Sequence, residues 1–342
     1  MIFFFFKNGT QMKKFLIIQI AIIILFGNIN YAQSFYSENP LVATYSIVAR
    51  DPETGEMGVA VQSHWFSVGS IVSWGEAGVG VVATQSFVNP AFGPDGLALL
   101  KSGMTAEQVV DKLIADDEGR DFRQLAIIDV NGNVKSYTGK NCIPGAGNIV
   151  GDNYSVQANL MLNDKVPGAM SKAFEESKGT LAERMMAALF AAEKVGGDIR
   201  GKQSAAILIV KGKSTGKVWE DRLIDLRVED DPYPLEKLER LIKIHRAYNY
   251  MNAGDLAIEH GDMELAMKEY SAAEKMFPDN EEMKFWHATT LANNGDIEGS
   301  LPLFKEVFSK NQNWKILTPR LVPIGLLNVN KEELNKILSV NE

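Results

Sequence analysis

The sequence predicts an α+β domain built in layers, followed by an all-α region. Its first part alternates pairs of β-rich runs with pairs of helical runs, in the order β pair, two helices, β pair, two helices, β pair. This order is typical of antiparallel strands with segregated helices. After Leu226 the composition changes, and every later run has helical spacing. At 342 residues the chain is long enough for two such domains.

The N-terminal residues have the composition of an export signal. Two lysines precede an apolar run over residues 15–26, and Ala32 offers a small residue before a cleavage point. The run is short for a membrane span and suits the core of a signal peptide. We therefore expect a signal peptide over residues 1–32 (with Met12 as the better start), a short tail over 33–43, and a periplasmic or extracellular protein. An uncleaved membrane anchor is the alternative.

The stretch from Thr44 to Gln85 predicts a hairpin and a third, buried strand. Thr44–Arg50 and Met57–Ser63 are β-rich, and the Asp-Pro-Glu-Thr-Gly sequence between them is turn-forming. Gly78–Thr84 is apolar throughout, as in a strand covered on both faces. Polar residues gather at the ends of these runs, and buried polar side chains need partners. The strand ends are therefore candidate positions for a functional site.

Four helices and two further β pairs are predicted next. Thr105–Asp116 and Thr180–Val195 both begin with a capping box, a Thr followed three residues later by Gln or Glu. Asn131-Gly132 between two β-rich runs is a strong signal for a tight hairpin. The Gly-rich segment Gly145–Asn153 is predicted to be a loop, and it lacks the features of a phosphate-binding loop. The remaining predicted elements are helices at Gly93–Gly103 and Pro167–Ser177 and strands at Leu125–Val130, Asn133–Thr138, Gln203–Val210 and Lys217–Leu226.

A linker and a helical domain follow the last β pair. Residues 229–234 are acidic and interrupted by prolines, and the predicted helical domain covers residues 235–342. Its first and last helices are predicted over Leu235–Tyr248 and Thr318–Val340. Gly261-Asp262 recurs as Gly295-Asp296, which gives a period of 34 residues. Together with the small residues between them, this period resembles the tetratricopeptide repeat. We expect the two copies, over residues 247–314, to bind a protein or peptide partner.

Charge and cysteine content exclude several classes of function. The hydrophobic fraction of 46% and the charged fraction of 23% are ordinary for a globular protein. The net charge is −8, so a phosphate backbone is repelled and no nucleic-acid partner is expected. Cys142 is the single cysteine, which rules out an intrachain disulfide framework and a thiolate zinc site. We expect neither a cofactor nor a bound metal.

Short motifs in a fixed order identify the family that the chain resembles. They are Thr44–Gly55, Gly58–Val61, Ala77–Gly80, Ala83–Gln85, Asn89-Pro90, Gly93, Arg123-Gln124, Asp129, Tyr137–Gly139, Cys142, Gly197-Asp198, Arg200-Gly201, Gln203–Ala206 and Asp225–Val228. This set resembles the bacterial domain of unknown function 1028 family. The resemblance implies the N-terminal-nucleophile (Ntn) hydrolase-like superfamily, and hence a four-layer αββα sandwich over residues 44–228.

An Ntn hydrolase uses the side chain of a Thr, Ser or Cys at a free N-terminus as its nucleophile. The residue's own α-amine takes the proton, because an α-amine titrates near pH ~7.7–8.0. The resemblance implies that Thr44, at the start of the first predicted strand, is this nucleophile, with Ser46 and Ser63 as alternatives. Ala43 blocks the amine of Thr44, so the mechanism requires autocleavage or a second protease between them. Without that cleavage Thr44 is a strand-start threonine in a non-catalytic domain.

Four further residues are candidate members of the catalytic site. Gln85 and Asn89 can donate to a developing oxyanion, and one such donor contributes ~2.7–4 kcal/mol. Each is equally suited to cap a strand or a turn. The resemblance implies an acidic residue near the last β pair that orients the N-terminus, which points to Asp198 with Arg200 beside it. A structural ion pair is the alternative for these two.

Two functions remain open. The first is an exported Ntn-type amidohydrolase that cleaves an amide bond in a small or peptide-like substrate, with the repeats docking a partner. The second is a catalytically silent Ntn-like binding or assembly protein that acts through its repeats. Self-association would serve either function, and the sequence does not decide it. The two functions differ in one feature, a free amine on Thr44.

Overall fold

The computed structural model describes residues 40–340, and the chain divides into two compact units. The first unit ends at Leu238 and the second begins at Glu239. The predicted signal peptide and most of the predicted tail lie outside the described residues. Among residues 40–340, no helix is both long enough and apolar enough to cross a membrane.

Two antiparallel sheets form the framework of the first unit. The strands are β1 (Leu41–Val42), β2 (Thr44–Arg50), β3 (Met57–Ser63), β4 (Ser73–Glu76), β5 (Gly80–Phe87), β6 (Arg123–Asp129), β7 (Val134–Thr138), β8 (Gly147–Gly151), β9 (Tyr154–Ala158), β10 (Ser204–Val210) and β11 (Arg222–Val228). The first sheet has the order β1-β5-β6-β7, with β4 also paired to β5. The second sheet has the order β11-β10-β3-β2-β9-β8.

Helices pack on both sheets. The helices described in this unit are α1 (Gly69–Val72), α2 (Phe92–Lys101), α3 (Ala106–Ala115), α4 (Val166–Glu176), α5 (Leu181–Lys194) and α6 (Val218–Asp221). Helices α2 and α3 pack on the first sheet, whereas α4 and α5 pack on the second. Both predicted capping boxes are present, at Thr105 with Gln108 and at Thr180 with Glu183. The chain is therefore a mixed α+β protein with antiparallel sheets, as predicted.

The inner strands are covered on both faces. Val48 of the second sheet and Val81 and Ala126 of the first belong to one buried cluster between the sheets. Ile127 belongs to another cluster, together with Val109 of α3. Neighbouring residues enter different clusters because successive side chains of a strand point to opposite faces. This is why β3, β5 and β6 are buried along their whole lengths.

The hairpin of β2 and β3 brings Thr44 opposite Ser63. These two residues are cross-strand partners at the open end of the hairpin. At the other end, Oδ1 of Asp51 accepts from the backbone N–H groups of Glu53 and Thr54, at 2.8 and 3.1 Å. An aspartate that accepts from nearby backbone groups stabilises a turn. The predicted hairpin is therefore present, and its turn fixes the register that pairs the two hydroxyl residues.

Three elements differ from the sequence prediction. The segment Gly145–Asn153, predicted to be a loop, contains β8, because pairing with β9 compensates for the low β propensity of glycine. The strand predicted over Gly78–Thr84 continues to Phe87, since its end pairs with β1. Gln85 therefore lies inside a strand. The strand predicted over Lys217–Leu226 begins with the single turn α6 and continues as β11.

The second unit is entirely helical in its described residues. Its helices are α7 (Pro234–Glu259), which begins before the unit boundary, α8 (Met263–Met276), α9 (Glu281–Asn293), α10 (Ile297–Lys310), α11 (Gln312–Leu321) and α12 (Lys331–Leu338). One buried cluster includes Ala266 and Tyr270. A second cluster includes Phe285 and Phe304. The predicted C-terminal helical region is thus present, with a core of its own.

Two helix boundaries in this region differ from the prediction. The helix predicted over Leu235–Tyr248 continues to Glu259. The helix predicted over Thr318–Val340 is interrupted between α11 and α12. Pro323 and Gly325 lie in the interruption, and Gly325 has a φ of +76°. Proline lacks the backbone donor that a helix needs, and glycine permits the left-handed conformation, so this sequence ends the helix.

Candidate active site

Thr44 is the first residue of β2 and is completely buried. Its hydroxyl Oγ1 donates to the carbonyl oxygen of Val42 at 2.9 Å. Its own carbonyl oxygen accepts from the backbone N–H of Asn159 at 3.0 Å. The nitrogen of Thr44 is in the peptide bond with Ala43. The amine that Ntn chemistry requires is therefore not free while this bond is intact.

The carbonyl oxygen of Ala43 accepts hydrogen bonds from two side chains. Oγ of Ser63 donates to it at 2.5 Å, and Nη2 of Arg200 donates to it at 2.7 Å. Ser63 reaches this oxygen because it pairs with Thr44 across the hairpin. A guanidinium and a hydroxyl on one carbonyl oxygen stabilise negative charge there, as the donors of an oxyanion hole do. The peptide bond that blocks Thr44 is thus the bond whose carbonyl these donors polarise.

Asp198 fixes the orientation of Arg200. Its Oδ2 accepts from Nη2 of Arg200 at 2.7 Å, and its Oδ1 accepts from Nε at 3.0 Å. Oδ2 also accepts from the backbone N–H of His64 at 3.2 Å. The Asp198 side chain is 0% exposed and that of Arg200 is 27% exposed. Because a two-point ion pair is directional, the guanidinium is held with one N–H on the Ala43 carbonyl oxygen. The structure therefore brings Ser63, Asp198 and Arg200 to Thr44.

Gln85 and Ser46 belong to a separate buried network between the sheets. Oγ of Ser46 donates to Oε1 of Gln85 at 2.6 Å and accepts from Nε2 of Gln157 at 2.7 Å. Nε2 of Gln85 donates to Oε1 of Gln124 at 2.7 Å and to the carbonyl oxygen of Thr44 at 3.3 Å. The predicted oxyanion donor Gln85 thus contacts the carbonyl of Thr44 itself and not that of Ala43. Ser46 is fully buried and has two partners, so it is not placed as a nucleophile.

Asn89 lies outside both groups. Its Oδ1 accepts from the backbone N–H of Ala91 at 3.1 Å, and its carbonyl oxygen accepts from Oγ1 of Thr84 at 3.2 Å. These bonds stabilise the turn that leads into α2. The alternative considered from the sequence, a turn cap, describes the geometry of Asn89.

A second polar group lies on the other face of β2, under α5. The phenol of Tyr45 donates to Oε1 of Glu193 at 2.6 Å. Burial, and then the charge of Glu193, raise the pKa of Tyr45 well above its ordinary value. Burial also raises the pKa of Glu193, against the lowering by Tyr45 and Lys202. Gln62 pairs with Tyr45 across the hairpin and is fully buried, and neither of its amide atoms has a hydrogen-bond partner among the described residues.

Cys142 is a buried thiol away from these groups. Its Sγ donates to the carbonyl oxygen of Arg123 at 3.3 Å. Burial raises the pKa of the thiol, which keeps it protonated and unreactive. Within residues 40–340, no group of three or more His, Cys, Asp or Glu side chains is placed to hold a metal ion.

A cleft of about 600 Å³ opens elsewhere in the first unit. Its walls come from β4, α2, β10 and β11, and they include Trp74, Leu208 and Arg227. None of the candidate catalytic residues lines this cleft. The candidate site is therefore defined by the hydrogen bonds around Ala43 and not by this opening.

Comparison with known proteins assigns the first unit to a family. The sequence model described as "Family of unknown function (DUF1028)" matches residues 44–238, more than half of the chain. The protein belongs to the DUF1028 family. The crystal structure of protein SPO2555 from Silicibacter pomeroyi, of the same family, is 32% identical to the chain with a TM-score of 0.54. That match covers 59% of this chain and 85% of the other.

A weaker match is to Anbu (ancestral beta-subunit) from Yersinia bercovieri. It is 15% identical with a TM-score of 0.29, and it covers 59% of this chain and 96% of the other. A likeness of this size carries no argument about the chain. None of the curated proteins compared with the chain matches it.

The DUF1028 region contains buried polar residues that the sequence reasoning did not assign, and one, Asn159, that it gave only as a weaker candidate. Gln124 donates from Nε2 to the carbonyl oxygen of Ala158 at 2.9 Å, and Asn159 donates from Nδ2 to Oε1 of Gln124 at 2.9 Å. Gln157 and Tyr45 were missed as well. A common signal was present: each is a polar residue within or beside a run that is otherwise apolar. Such residues are buried with the strand, and most buried polar side chains have hydrogen-bond partners within the fold.

Proposed function

We propose that this member of the DUF1028 family is an exported Ntn-type amidohydrolase that cleaves an amide bond in a small or peptide-like substrate. Thr44 is the nucleophile, and it becomes active when the Ala43–Thr44 bond is cleaved. One observation carries the proposal: the Ala43 carbonyl oxygen accepts from Ser63 at 2.5 Å and from Arg200 at 2.7 Å. The family match also begins at Thr44.

Release of Thr44 follows from the same donors. Oγ1 of Thr44 adds to the carbonyl carbon of Ala43, and Ser63 and Arg200 stabilise the oxyanion. The C–N bond then breaks, the nitrogen takes the proton from the hydroxyl, and an ester joins Ala43 to Oγ1. Water hydrolyses this ester to the carboxylic acid of Ala43 and the free hydroxyl. The products are a leading peptide that ends at Ala43 and a chain that begins with the amine of Thr44.

Cleavage of the substrate follows the same steps, with the acyl group of the substrate in place of that of Ala43. The freed α-amine of Thr44 accepts the proton of Oγ1 as the oxygen adds to the substrate carbonyl, since its ordinary pKa lies near ~7.7–8.0. Arg200 then stabilises the substrate oxyanion in the place that the Ala43 oxygen left. The amine product departs with the proton, and water hydrolyses the acyl ester. Asn159 and Gln85 hold Thr44 through its carbonyl oxygen.

The proposal extends to the architecture of both units. The packing of α2 and α3 on one sheet and of α4 and α5 on the other supports a four-layer αββα sandwich of the Ntn type. In the second unit, the close packing of Gly254 on Tyr270 supports tetratricopeptide-like repeats that bind a protein or peptide partner. Export rests on the N-terminal sequence, which lies outside the described residues.

The experiment that tests the proposal is the intact mass and N-terminal sequence of the exported protein. We expect a chain that begins at Thr44. Thr44→Ala removes the hydroxyl and leaves the Ala43–Thr44 bond intact, whereas Thr44→Ser keeps the hydroxyl and keeps the cleavage. Thr84→Ala is the matched control, because Thr84 is a strand threonine that is 1% exposed. A Thr44→Ala chain that is still cut before residue 44 would show that another protease acts there.

A catalytically silent binding protein is the second candidate. It is favoured by the complete burial of Thr44 and by the hydrogen bond that its hydroxyl donates to Val42. On this alternative, residues 40–43 are a permanent part of the first sheet, and the repeats carry the function. A purified protein that stays uncleaved for days and that no hydroxyl-directed electrophile labels at Thr44 would establish it.

A further inference from the structure

The residues that precede Thr44 lie along the end of β5 as an added strand. Leu41 pairs with Phe87 and Val42 pairs with Ser86, in antiparallel register. The backbone N–H of Val88 donates to the carbonyl oxygen of Pro40 at 3.1 Å, which extends the pairing by one position. Before the Ala43–Thr44 bond is cleaved, the site therefore holds an extended peptide. Its last carbonyl oxygen, that of Ala43, accepts hydrogen bonds from Ser63 and Arg200.

The last two side chains of this segment are enclosed by the fold. Val42 and Ala43 are both 0% exposed. Val42 belongs to the apolar cluster between the two sheets, together with Val61 and Val88. When the segment leaves, this cluster loses one of its members, and the space that opens is lined by apolar groups. Such a space binds an apolar side chain and rejects a charged one, because a buried charge without a partner is costly.

The end of β5, with which the leading segment pairs, is held in place by β6 on its other side. Ser86 pairs with Arg123 of β6, and Nη1 of Arg123 donates to the carbonyl oxygen of Phe87 at 2.6 Å. Arg123 in turn forms an ion pair with Asp117 at 2.5 Å. None of these contacts involves residues 40–43. The end of β5 therefore keeps its position after release, and the backbone groups of Ser86 and Val88 that paired with the segment can receive another extended chain.

We propose that the site takes an extended peptide, bound antiparallel to Ser86–Val88, with a small residue at the cleaved carbonyl and an uncharged apolar residue before it. The leading segment Leu41-Val42-Ala43 is then a copy of the acyl part of the substrate. This inference rests on the proposed function, since it places the substrate carbonyl on the donors that hold Ala43. It assigns the chain to the peptidases rather than to enzymes that act on small amides.

The inference is tested with fluorogenic peptide amides and with the protein after cleavage of the Ala43–Thr44 bond. The probes are acetyl-Leu-Val-Ala, acetyl-Leu-Asp-Ala, acetyl-Leu-Val-Arg and acetyl-Ala, each joined to aminomethylcoumarin. We expect kcat/KM for the first probe to exceed each of the others by at least about tenfold, because one lost apolar or strand contact changes specificity by that order. Equal values would overturn the peptide inference while leaving Thr44 as nucleophile.

A second measurement changes residues of the leading segment Leu41-Val42-Ala43 and follows the release of Thr44. Ala43→Arg and Val42→Asp are expected to slow the appearance of the Thr44 N-terminus by about tenfold or more, because they place a charge where the site takes apolar groups. Leu41→Gln is the control, since Leu41 is only half-buried and pairs through its backbone. Unchanged release in both charged variants would overturn the inference. No release in the unmodified protein, with no turnover of any probe, would overturn both it and the proposed function.

Discussion

Arg200 is the residue on which the candidate chemistry depends most. Its guanidinium has enough donors to bind Asp198 at two points and still to donate to the Ala43 carbonyl oxygen at 2.7 Å. A lysine has the same charge but no planar fork, so it cannot make the two-point pair and the third bond in one geometry. The role of this position is therefore testable without changing the charge of the site.

We predict that Arg200→Lys slows the release of Thr44 by about 10²-fold, the order expected for the loss of one oxyanion donor. The rate is measured as the appearance of the residue-44 N-terminus by mass spectrometry. Arg222→Lys is the matched control, because Arg222 forms an ion pair with Asp225 at 2.8 Å on the surface of β11. Equal rates for both variants and the unmodified protein would remove Arg200 from the mechanism.

Glu193 makes the stability of the first unit depend on pH. Burial raises the pKa of this carboxyl in the folded protein above its ordinary 4.5. The folded state therefore keeps the proton to a higher pH than the unfolded chain does, and stability falls as the pH rises through the folded pKa. We predict that Glu193→Gln, which cannot ionise, gains stability relative to the unmodified protein as the pH rises above 4.5, the ordinary pKa of this carboxyl.

The measurement is the midpoint of urea unfolding for both proteins at several pH values. Glu56→Gln is a comparison variant, since burial also raises the pKa of Glu56, which lies in the turn between β2 and β3, away from Tyr45. A difference between Glu193→Gln and the unmodified protein that does not change with pH would mean that the carboxyl titrates normally.

At the scale of elements, the packing of α7 on α8 depends on one glycine. A Cβ atom at Gly254 would lie 2.9–3.0 Å from three atoms of the Tyr270 ring, and this ring is 1% exposed. A buried ring cannot move aside without disturbing its neighbours. We predict that Gly254→Ala lowers the free energy of unfolding of the second unit by about 1–3 kcal/mol, as for other overpacked cores.

Gly168 in α4 provides the control for this substitution. A Cβ atom there would have no neighbour within 4 Å, and the residue is helical. Gly168→Ala is expected to raise stability by roughly 0.5–1 kcal/mol, because alanine is the better helix former. Both changes are measured by chemical denaturation. If Gly254→Ala left the free energy of unfolding unchanged, α7 and α8 would separate more easily than their contact indicates.

The elements that the sequence predicted correctly are those with a local cause. The capping boxes at Thr105 and Thr180 and the hairpin at Asn131-Gly132 are specified by residues within a few positions of one another. The strand β8 was missed because its glycines have no side-chain pattern and its pairing with β9 supplies the stability. Local pattern therefore determines where turns and helices begin, whereas tertiary pairing determines the edges of the sheets.

The candidate site was predictable only in part, for the same reason. Thr44, Asp198 and Arg200 were identified by motif, and Ser63 by its place at the end of a β-rich run. The structure places these four residues together around Ala43. The partners of Gln85 include Thr44 and Ser46 of β2 and Gln124 of β6, and no short-range feature of the sequence indicates such pairs. The geometry of a site whose residues lie far apart in the sequence emerges only when the register of the strands is fixed.

At the scale of the whole molecule, the two units have separate buried clusters. Those of the first unit lie within residues 42–210, and those of the second lie within residues 247–337. Stability is therefore not uniform along the chain, and a local change is felt most within its own unit. We predict that Gly254→Ala speeds amide hydrogen exchange in residues 239–340 and leaves the strands of the first unit unchanged. Faster exchange in β2 and β3 would show instead that the units unfold together.

Because Cys142 is buried, its reactivity reports the opening of the first unit. The thiol is protonated and enclosed in the folded first unit, so a thiol-directed dye reacts only with molecules in which that unit has opened. Cys142 is the single cysteine of the chain, and residues 239–342 contain none. The labelling rate in dilute denaturant therefore records the opening of one unit alone. No introduced label or substitution is needed for this assay.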